Sequence, residues 1–339
     1  MKQTRFFAYA LVLLASLATS SNVKAQTLNW TTAKKFDIGI EPALTISRDG
    51  IVIEFHHGAR GALTYYTLGS ISGNDVSWGK TQLFGLERGN FTTRWPSVTV
   101  TRDNYVILMT SDGLSKIDSR LRYWVGRIQP GGGVNQQIEW LVVGKQFDFG
   151  YHCSVTVNRD GYIAEVHESG SNGKGMYYRL GHLENPNAGK YEIVWDSGSS
   201  GVWYDDGINP NIAVNDSGQV VEMHQVTGEA KIHYIRGSMV GNSLTLKKID
   251  SKRYLSNDEE PAITLTNANL AIEVHHRTGY IRSAAGYLMS DFKSIDWLTG
   301  PSFTNTLGWR PAIATNGDWI VTDFEDESKN LLYSVARVP

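Results

Sequence analysis

The chain has 339 residues, 41% hydrophobic and 19% charged, with 34 glycines. Its 32 basic residues against 34 acidic ones leave a net charge of −2, which offers no attraction to phosphate and excludes nucleic acid as the expected partner. One cysteine excludes a disulfide scaffold, while 10 Trp, 16 Tyr and 11 Phe exclude disorder and suit sheets and aromatic-lined sites.

Residues 1–25 read as a signal peptide. Lys2 and Arg5 form a basic start, Phe6 to Ala18 is an apolar run too short to span a bilayer, and Val23-Lys24-Ala25 supplies small residues for cleavage after Ala25. Removing that segment leaves 29 basic against 34 acidic residues, a net charge of −5. No later stretch reaches transmembrane length, so a secreted or periplasmic protein without a membrane span is expected.

Past Gln26 the chain repeats. Each unit opens on an extended segment (strand A), turns at polar residues, and enters an apolar strand B. Openers fall at Pro42, Pro96, Cys153, Pro210, Pro261 and Pro311, spaced 54, 57, 57, 51 and 50 residues apart. Twelve residues after each opener stand Glu54, Leu108, Glu165, Glu222, Glu273 and Asp323; fourteen after stand His56, Thr110, His167, His224, His275 and Glu325. Strand C carries an aromatic three residues before a small residue: Tyr66/Gly69, Tyr123/Gly126, Tyr178/Gly181, Tyr234/Gly237 and Tyr333/Ala336, with Ser283/Gly286 the exception. Strand D ends on Trp78, Trp140, Trp195 and Trp297, with Leu246 in the fourth copy. Alternation is period two and Gly, Asn and Asp punctuate it.

Four-stranded units of about 50 residues predict propeller blades. The last unit has room for strands A to C only, and Leu28-Asn29-Trp30 repeats the strand D pattern. The expected fold is all-β: one six-bladed β-propeller over residues 26–339, its last blade completed by the N-terminal strand, which leaves no open edge.

In such a propeller strand A lines the channel, and the D–A and B–C connections share a face. The D–A connections hold Phe36-Asp37, Arg94-Trp95, Phe147-Asp148 with Tyr151-His152, Trp203-Tyr204-Asp205-Asp206, Asp258-Glu259-Glu260 and Trp309-Arg310. Aromatic rings beside carboxylates and arginine suit sugars, whose CH faces stack on rings and whose hydroxyls need donors and acceptors. The carbohydrate-binding candidates are therefore Trp203, Tyr204, Asp205, Asp206, Trp309 and Arg310, together with the repeated Glu54, Glu165, Glu222, Glu273, His56, His167, His224 and His275. The repeated pair has a second reading, as buried groups that hydrogen-bond within the fold. No Cys-x-x-Cys, His-Glu-x-x-His, Gly-x-Ser-x-Gly or phosphate loop occurs, so no metal or cofactor is expected.

The run Asn211 to His224, with Tyr177-Tyr178-Arg179-Leu180-Gly181, resembles a repeat of secreted bacterial propellers similar to the fucose-specific lectin and sialidase-like group. That resemblance implies a six-bladed propeller. Ser47-Arg48-Asp49-Gly50 is only superficially like a sialidase Ser-x-Asp-x-Gly-x-Thr-Trp box, and no lectin pocket motif maps residue by residue. The leading expectation is a lectin-like protein with several related shallow pockets for a glycan or polysaccharide. The alternatives are a glycoside hydrolase or polysaccharide lyase with one site over the channel, drawn from His275, His276, Arg277, Glu325, Arg310 and Tyr204, and an envelope interaction scaffold.

Overall fold

The computed structural model describes residues 28–338 apart from 60–62, 85–92, 114–118, 130–136, 171–172, 197, 199–200, 249–257, 290–293 and 299–305. The expected signal peptide and its cleavage site lie outside the described residues. No helix among the described residues is long and apolar enough to cross a membrane.

The chain begins with β1 (Lys34–Ile38). The first unit gives β2 (Ile40–Ile46), β3 (Ile51–His57), β4 (Thr64–Ser72), β5 (Asp75–Trp78) and β6 (Gln82–Phe84). The second gives β7 (Arg94–Val100), β8 (Tyr105–Ser111) and β9 (Arg120–Ile128), then runs into β10 (Ile138–Val157). The third adds β11 (Tyr162–Ser169), β12 (Gly175–Asn185), β13 (Lys190–Trp195) and β14 (Val202–Asp206). The fourth comprises β15 (Ile208–Val214), β16 (Gln219–Gln225), β17 (Ile232–Val240) and β18 (Ser243–Lys248). The fifth comprises β19 (Asp258–Leu265), β20 (Leu270–Arg277), β21 (Tyr280–Leu288) and β22 (Ile295–Leu298); the last comprises β23 (Trp309–Thr315), β24 (Trp319–Glu325) and β25 (Asn330–Arg337).

The sheets are antiparallel meanders in a propeller arrangement. β10 belongs to two ladders: its first part pairs β9 and its second part pairs β11. The strands that follow the openers line one channel of about 250 Å³. The core lies between sheets, because both faces of each sheet are covered. Phe55, Tyr66 and Phe84 of the first unit pack on Val98, Leu108 and Trp124 of the second. Leu44 and Val52 of the first unit pack on Ala312, Val321 and Val335 of the last. Burying one such phenylalanine is worth about 2–3 kcal/mol.

The small residue on strand C has a steric cause. A Cβ on Gly126 or Gly181 would meet strand D, first at Ile138 and at the Val194 carbonyl (2.6 Å) and then at the indoles of Trp140 (3.0 Å) and Trp195 (3.1 Å). Glycine lets the tryptophan lie flat on its neighbour.

Two elements differ from the sequence expectation. The strand that pairs with β25 is β1, Lys34–Ile38, whereas Leu28-Asn29-Trp30 carries no strand assignment. Thr31 N–H still donates to Val335 O at 2.9 Å, and Leu28 and Trp30 pack beside Ala336 and Ile313. Also, the D–A connections are themselves largely strand. β1, β6, β14 and the middle of β10 continue the outer edge, opposite Tyr333, Tyr66, Tyr178 and Tyr123 respectively. The outer chain bends at the strand C tyrosine and re-pairs, which satisfies backbone groups that a loop would leave to water.

The re-paired segment then crosses the end of strand B through a glycine. A Cβ on Gly39, Gly150 or Gly207 would lie 2.3, 2.6 and 2.6 Å from Cδ2 of His56, His167 and His224. Gly39→Ala therefore overpacks the interior and should destabilise by about 1–3 kcal/mol. Gly228→Ala meets nothing within 4 Å and, at φ +79, carries only backbone strain of about 1 kcal/mol. Urea denaturation of both variants checks the ordering; equal losses would remove the steric account.

Candidate functional site at the channel mouth

One backbone feature recurs at every opener. The residue just before it is left-handed: Glu41 (φ 57), Trp95 (φ 52), His152 (φ 44), Asn209 (φ 52), Glu260 (φ 51) and Arg310 (φ 49). Left-handed backbone costs a non-glycine residue about 1–2 kcal/mol, and a following proline disfavours helical backbone further. The register between strands A and B also shifts at each of these points. Such bulges re-aim a side chain. These six side chains line one cavity of about 110 Å³ at the channel mouth.

Carboxylates hold several of these residues in place. Trp95 N–H donates to Glu41 Oε2 (3.1 Å), Asn209 N–H to Glu168 Oε1 (2.8 Å), Arg310 N–H to Glu260 Oε2 (3.0 Å) and Glu41 N–H to Glu325 Oε2 (3.0 Å). Each acceptor belongs to the neighbouring unit, so adjacent sheets pin each other's strain. Strained residues pinned by their surroundings cluster at functional sites.

The mouth is chemically uneven. Glu41 is buried and takes Arg94 Nε at 2.9 Å. Trp95 lies across the opening, with the edge of His152 at 4.0 Å between centroids and the Arg310 guanidinium over its ring at 5.1 Å. Arg310 Nη1 donates to Glu325 Oε1 at 2.7 Å, and its Nε lies 3.7 Å from Glu260. Burial pushes the Glu325 carboxyl up; Arg310 opposes the rise, and the charges of Glu260 and Glu41 add to it. Three buried polar atoms here have no hydrogen-bond partner among the described residues: Trp95 Nε1, His152 Nε2 and Arg310 Nε. His152 Nδ1 meets Glu168, which leaves Nε2 as the ring's free end. Among the described residues no cluster of His, Cys, Asp and Glu could hold a metal ion.

The repeated Glu-x-His pairs sit elsewhere. Glu54, Glu165, Glu222 and Glu273 are buried, as are His56, His167, His224 and His275. Each histidine Nδ1 meets the glutamate two residues back, at 3.0, 3.0, 3.0 and 2.9 Å. The other end of the ring faces an aspartate. His224 Nε2 lies 3.8 Å from Asp205, and His275 Nε2 lies 3.5 Å from Asp258. Asp37 and Asp148 act on His56 and His167 in the same sense. Burial opposes charge on His56 and His167, but their glutamates outweigh it and raise both rings; His275 is pushed up to about 10. Burial likewise raises Glu54 and Glu165, against the pull of their histidines. In the last unit Asp323 replaces the glutamate, and burial lifts its carboxyl well above the usual range.

The loop candidates divide. Trp203 is 57% exposed and Asp206 is exposed, with Trp203 Nε1 donating to Asp206 Oδ1 at 3.4 Å. Tyr204 is drawn inward, its hydroxyl donating to Glu222 Oε1 at 3.0 Å, and Asp205 serves His224. Trp309 is half-buried beside His276 at 5.9 Å, and Arg310 alone of the named candidates lines the mouth. Glu41, Trp95, His152, Asn209 and Glu260 were missed as candidates, although Trp95, His152 and Glu260 stood among the D–A connection residues. The signal was available: the residue ahead of each opener is polar or aromatic in every unit, never aliphatic.

No protein-family model and no curated protein sequence matches the chain. Solved structures do. An α-L-arabinanase of Penicillium chrysogenum, complexed with arabinobiose, superposes with a TM-score of 0.59 at 10% identity, covering 91% of this chain and 98% of that one. A Hadza microbial sialidase gives 0.59 at 11% identity, covering 89% and 66%. A PQQ-bound aldose sugar dehydrogenase from Streptomyces coelicolor gives 0.55 at 11% identity, covering 92% and 98%. The chain has the β-propeller fold of the sialidase and arabinanase structures. At these identities the likeness is one of fold, and function rests on the site.

The buried pairs set a pH dependence. His56, His167, His275, Glu54 and Glu165 all bind protons more tightly in the folded propeller than their ordinary values of 6.5 and 4.5. Such groups contribute stability that is full below the unfolded value and lost as pH rises through the folded one. For His275 that window runs from 6.5 to about 10. Melting temperature should fall across it, less steeply in His275→Gln; a flat profile in the wild type would contradict the assignment. His167→Ala should cost about 3–5 kcal/mol, because it leaves Glu165 buried without its hydrogen-bonded partner.

Proposed function

We propose that this protein is an exported, six-bladed propeller, closed by its N-terminal strand, that recognises a glycan at one axial site in the channel mouth. The observation that carries the reading is the convergence of Trp95, His152 and Arg310, from three separate units, on one cavity. Indole, imidazole and guanidinium N–H groups are donors, and sugar hydroxyls and ring oxygens are acceptors that match them. Trp95 supplies apolar surface for the CH face of the sugar. The cavity is smaller than an ordinary small-molecule pocket of about 300–1,000 Å³, so a terminal residue would enter while the rest of the glycan lies on the face.

A single asymmetric site fits better than several equivalent lectin pockets. The repeated Glu-x-His residues that would build equivalent pockets are buried and matched to each other, while the residues ahead of the openers differ from unit to unit. Export rests on the sequence of residues 1–25. The glycan reading is in keeping with the sugar-directed chemistry of the arabinanase and sialidase that share the fold.

A second reading, glycoside hydrolysis, is favoured by one observation. Arg310 meets two carboxyls in different surroundings, Glu325 nearly buried and raised, Glu260 more open. Pairs of carboxyls with divergent environments divide into acid and base roles. Glu325 would be the proton donor and Glu260 the base or nucleophile.

Glycan arrays run beside a screen for polysaccharide breakdown test both. Trp95→Ala should lose about tenfold or more in glycan affinity, at a melting temperature near that of the wild type. If Trp95→Ala and His152→Ala bind as the wild type does and Trp203→Ala does not, the site is on the outer face and the axial reading fails. Glu325→Gln that retains binding but releases no sugar would establish hydrolysis.

A further inference from the structure

The channel has a second mouth, at the other end of its lining strands. Five residues of extended chain separate Pro42 from the turn at Ser47, so the two mouths lie about 16 Å apart. The second is the larger, a cavity of about 460 Å³. It is built from the turns between strands A and B. In three successive units that turn places an arginine at its second position: Ser47-Arg48-Asp49-Gly50, Thr101-Arg102-Asp103-Asn104 and Asn158-Arg159-Asp160-Gly161.

The turns are fixed. The fourth residue donates its N–H to the carbonyl of the first, at 2.9 Å in Gly50 to Ser47, 3.0 Å in Asn104 to Thr101 and 3.1 Å in Gly161 to Asn158. The side chain of the first residue accepts from the N–H that begins strand B: Ser47 Oγ from Ile51 (3.0 Å), Thr101 Oγ1 from Tyr105 (3.1 Å) and Asn158 Oδ1 from Tyr162 (2.9 Å). The backbone that carries each arginine is therefore organised before any ligand arrives.

Arg48, Arg102 and Arg159 are exposed and line the cavity, and none makes an ion pair with a described residue. The aspartate that follows each arginine does not line it. The remaining turns contribute Asn215, Asp216, Asn267 and Asn316. Asp216 is engaged with Asn267, which donates to it at 2.9 Å and accepts its N–H at 2.9 Å. One half of the mouth is thus three arginines without an ion pair among the described residues, and the other half is amides with the single carboxylate of Asp216, in a chain whose net charge is negative.

We infer that this mouth binds the oxyanion groups, carboxylate or sulfate, of an acidic saccharide. Guanidinium forks bind planar or tetrahedral oxyanions through paired hydrogen bonds, and amides bind hydroxyls. Three arginines gathered in one concavity match a compact ligand with one to three charges. A nucleic-acid backbone would call for an extended basic track, which a net charge of −2 does not supply. The inference is independent of the axial site, which uses the opposite end of the channel.

Calorimetric titration of the full chain tests it with four probes: sodium sulfate, a sulfated disaccharide, the matching neutral disaccharide and a 20-nucleotide DNA duplex. The sulfated disaccharide should bind at least about tenfold more tightly than the neutral one, weakening as salt is raised. Arg102→Gln should weaken it about tenfold, and R48Q/R102Q/R159Q should abolish it at an unchanged melting temperature, while Lys190→Gln binds normally. Sulfate binding as tightly as the sulfated disaccharide, and lost in the triple variant, would assign the site to free anions. A folded triple variant that still binds the disaccharide overturns the proposal, as does DNA binding more tightly than it.

Discussion

The buried imidazole between two carboxylates is the contact on which the rest of this structure depends. His224 meets Glu222 of its own strand on one side and Asp205, from the outer strand of the preceding sheet, on the other. The interaction therefore joins neighbouring sheets, not just neighbouring residues. Polar groups at this depth are tolerated because they partner one another among apolar strands, and removing one partner is costly. The aspartate again comes from the preceding sheet at His56 and His167, where Asp37 and Asp148 act, whereas His275 meets Asp258 of its own sheet.

That contact dictates the path of the chain above it. The incoming segment must cross the histidine ring, and only glycine leaves room at Gly39, Gly150 and Gly207. In the fifth unit Asp258 occupies the crossing and its own carboxylate meets His275. Two residues beyond the crossing the backbone turns left-handed and bulges, which throws one side chain per unit toward the axis. Fold and site are thus parts of one sequence of constraints: a buried polar group, a glycine that clears it, a bulge that follows, and a ring of presented side chains. Units that lack the histidine still present their residue, Trp95 in the second and Arg310 in the last, and these two face each other across the opening at 5.1 Å.

The ends of the channel divide the chemistry. At one end, strain and neighbouring carboxylates hold a mixed set of aromatic, acidic and basic groups over a small cavity. At the other, relaxed hydrogen-bonded turns hold arginines over a larger one. The strands between them hold the two ends at a fixed separation, with their own side chains linked across units: Val155 N–H to Ser97 Oγ at 3.0 Å and Ile263 N–H to Asn211 Oδ1 at 2.9 Å.

The sequence by itself determined the repeating pattern and the all-β class, because these follow from spacing and period-two alternation within a unit; it did not show that the third opener lies inside one continuous strand, β10, or that the strand C glycine stands opposite the strand D tryptophan. It also exposed the Glu-x-His pair but not its role, since burial depends on the neighbouring sheet, and at His56, His167 and His224 the aspartate comes from there as well. Only the tertiary structure decided that β1 rather than Leu28-Asn29-Trp30 pairs with β25, that Tyr204 and Asp205 turn inward while Trp203 stays exposed, and that Glu41, Trp95, His152, Asn209, Glu260 and Arg310 meet at one point. The physical reason is the same in each case. A period-two pattern fixes which side of a strand a residue faces, whereas convergence of residues from separate units is set by sheet packing and by a left-handed bulge that no local propensity announces.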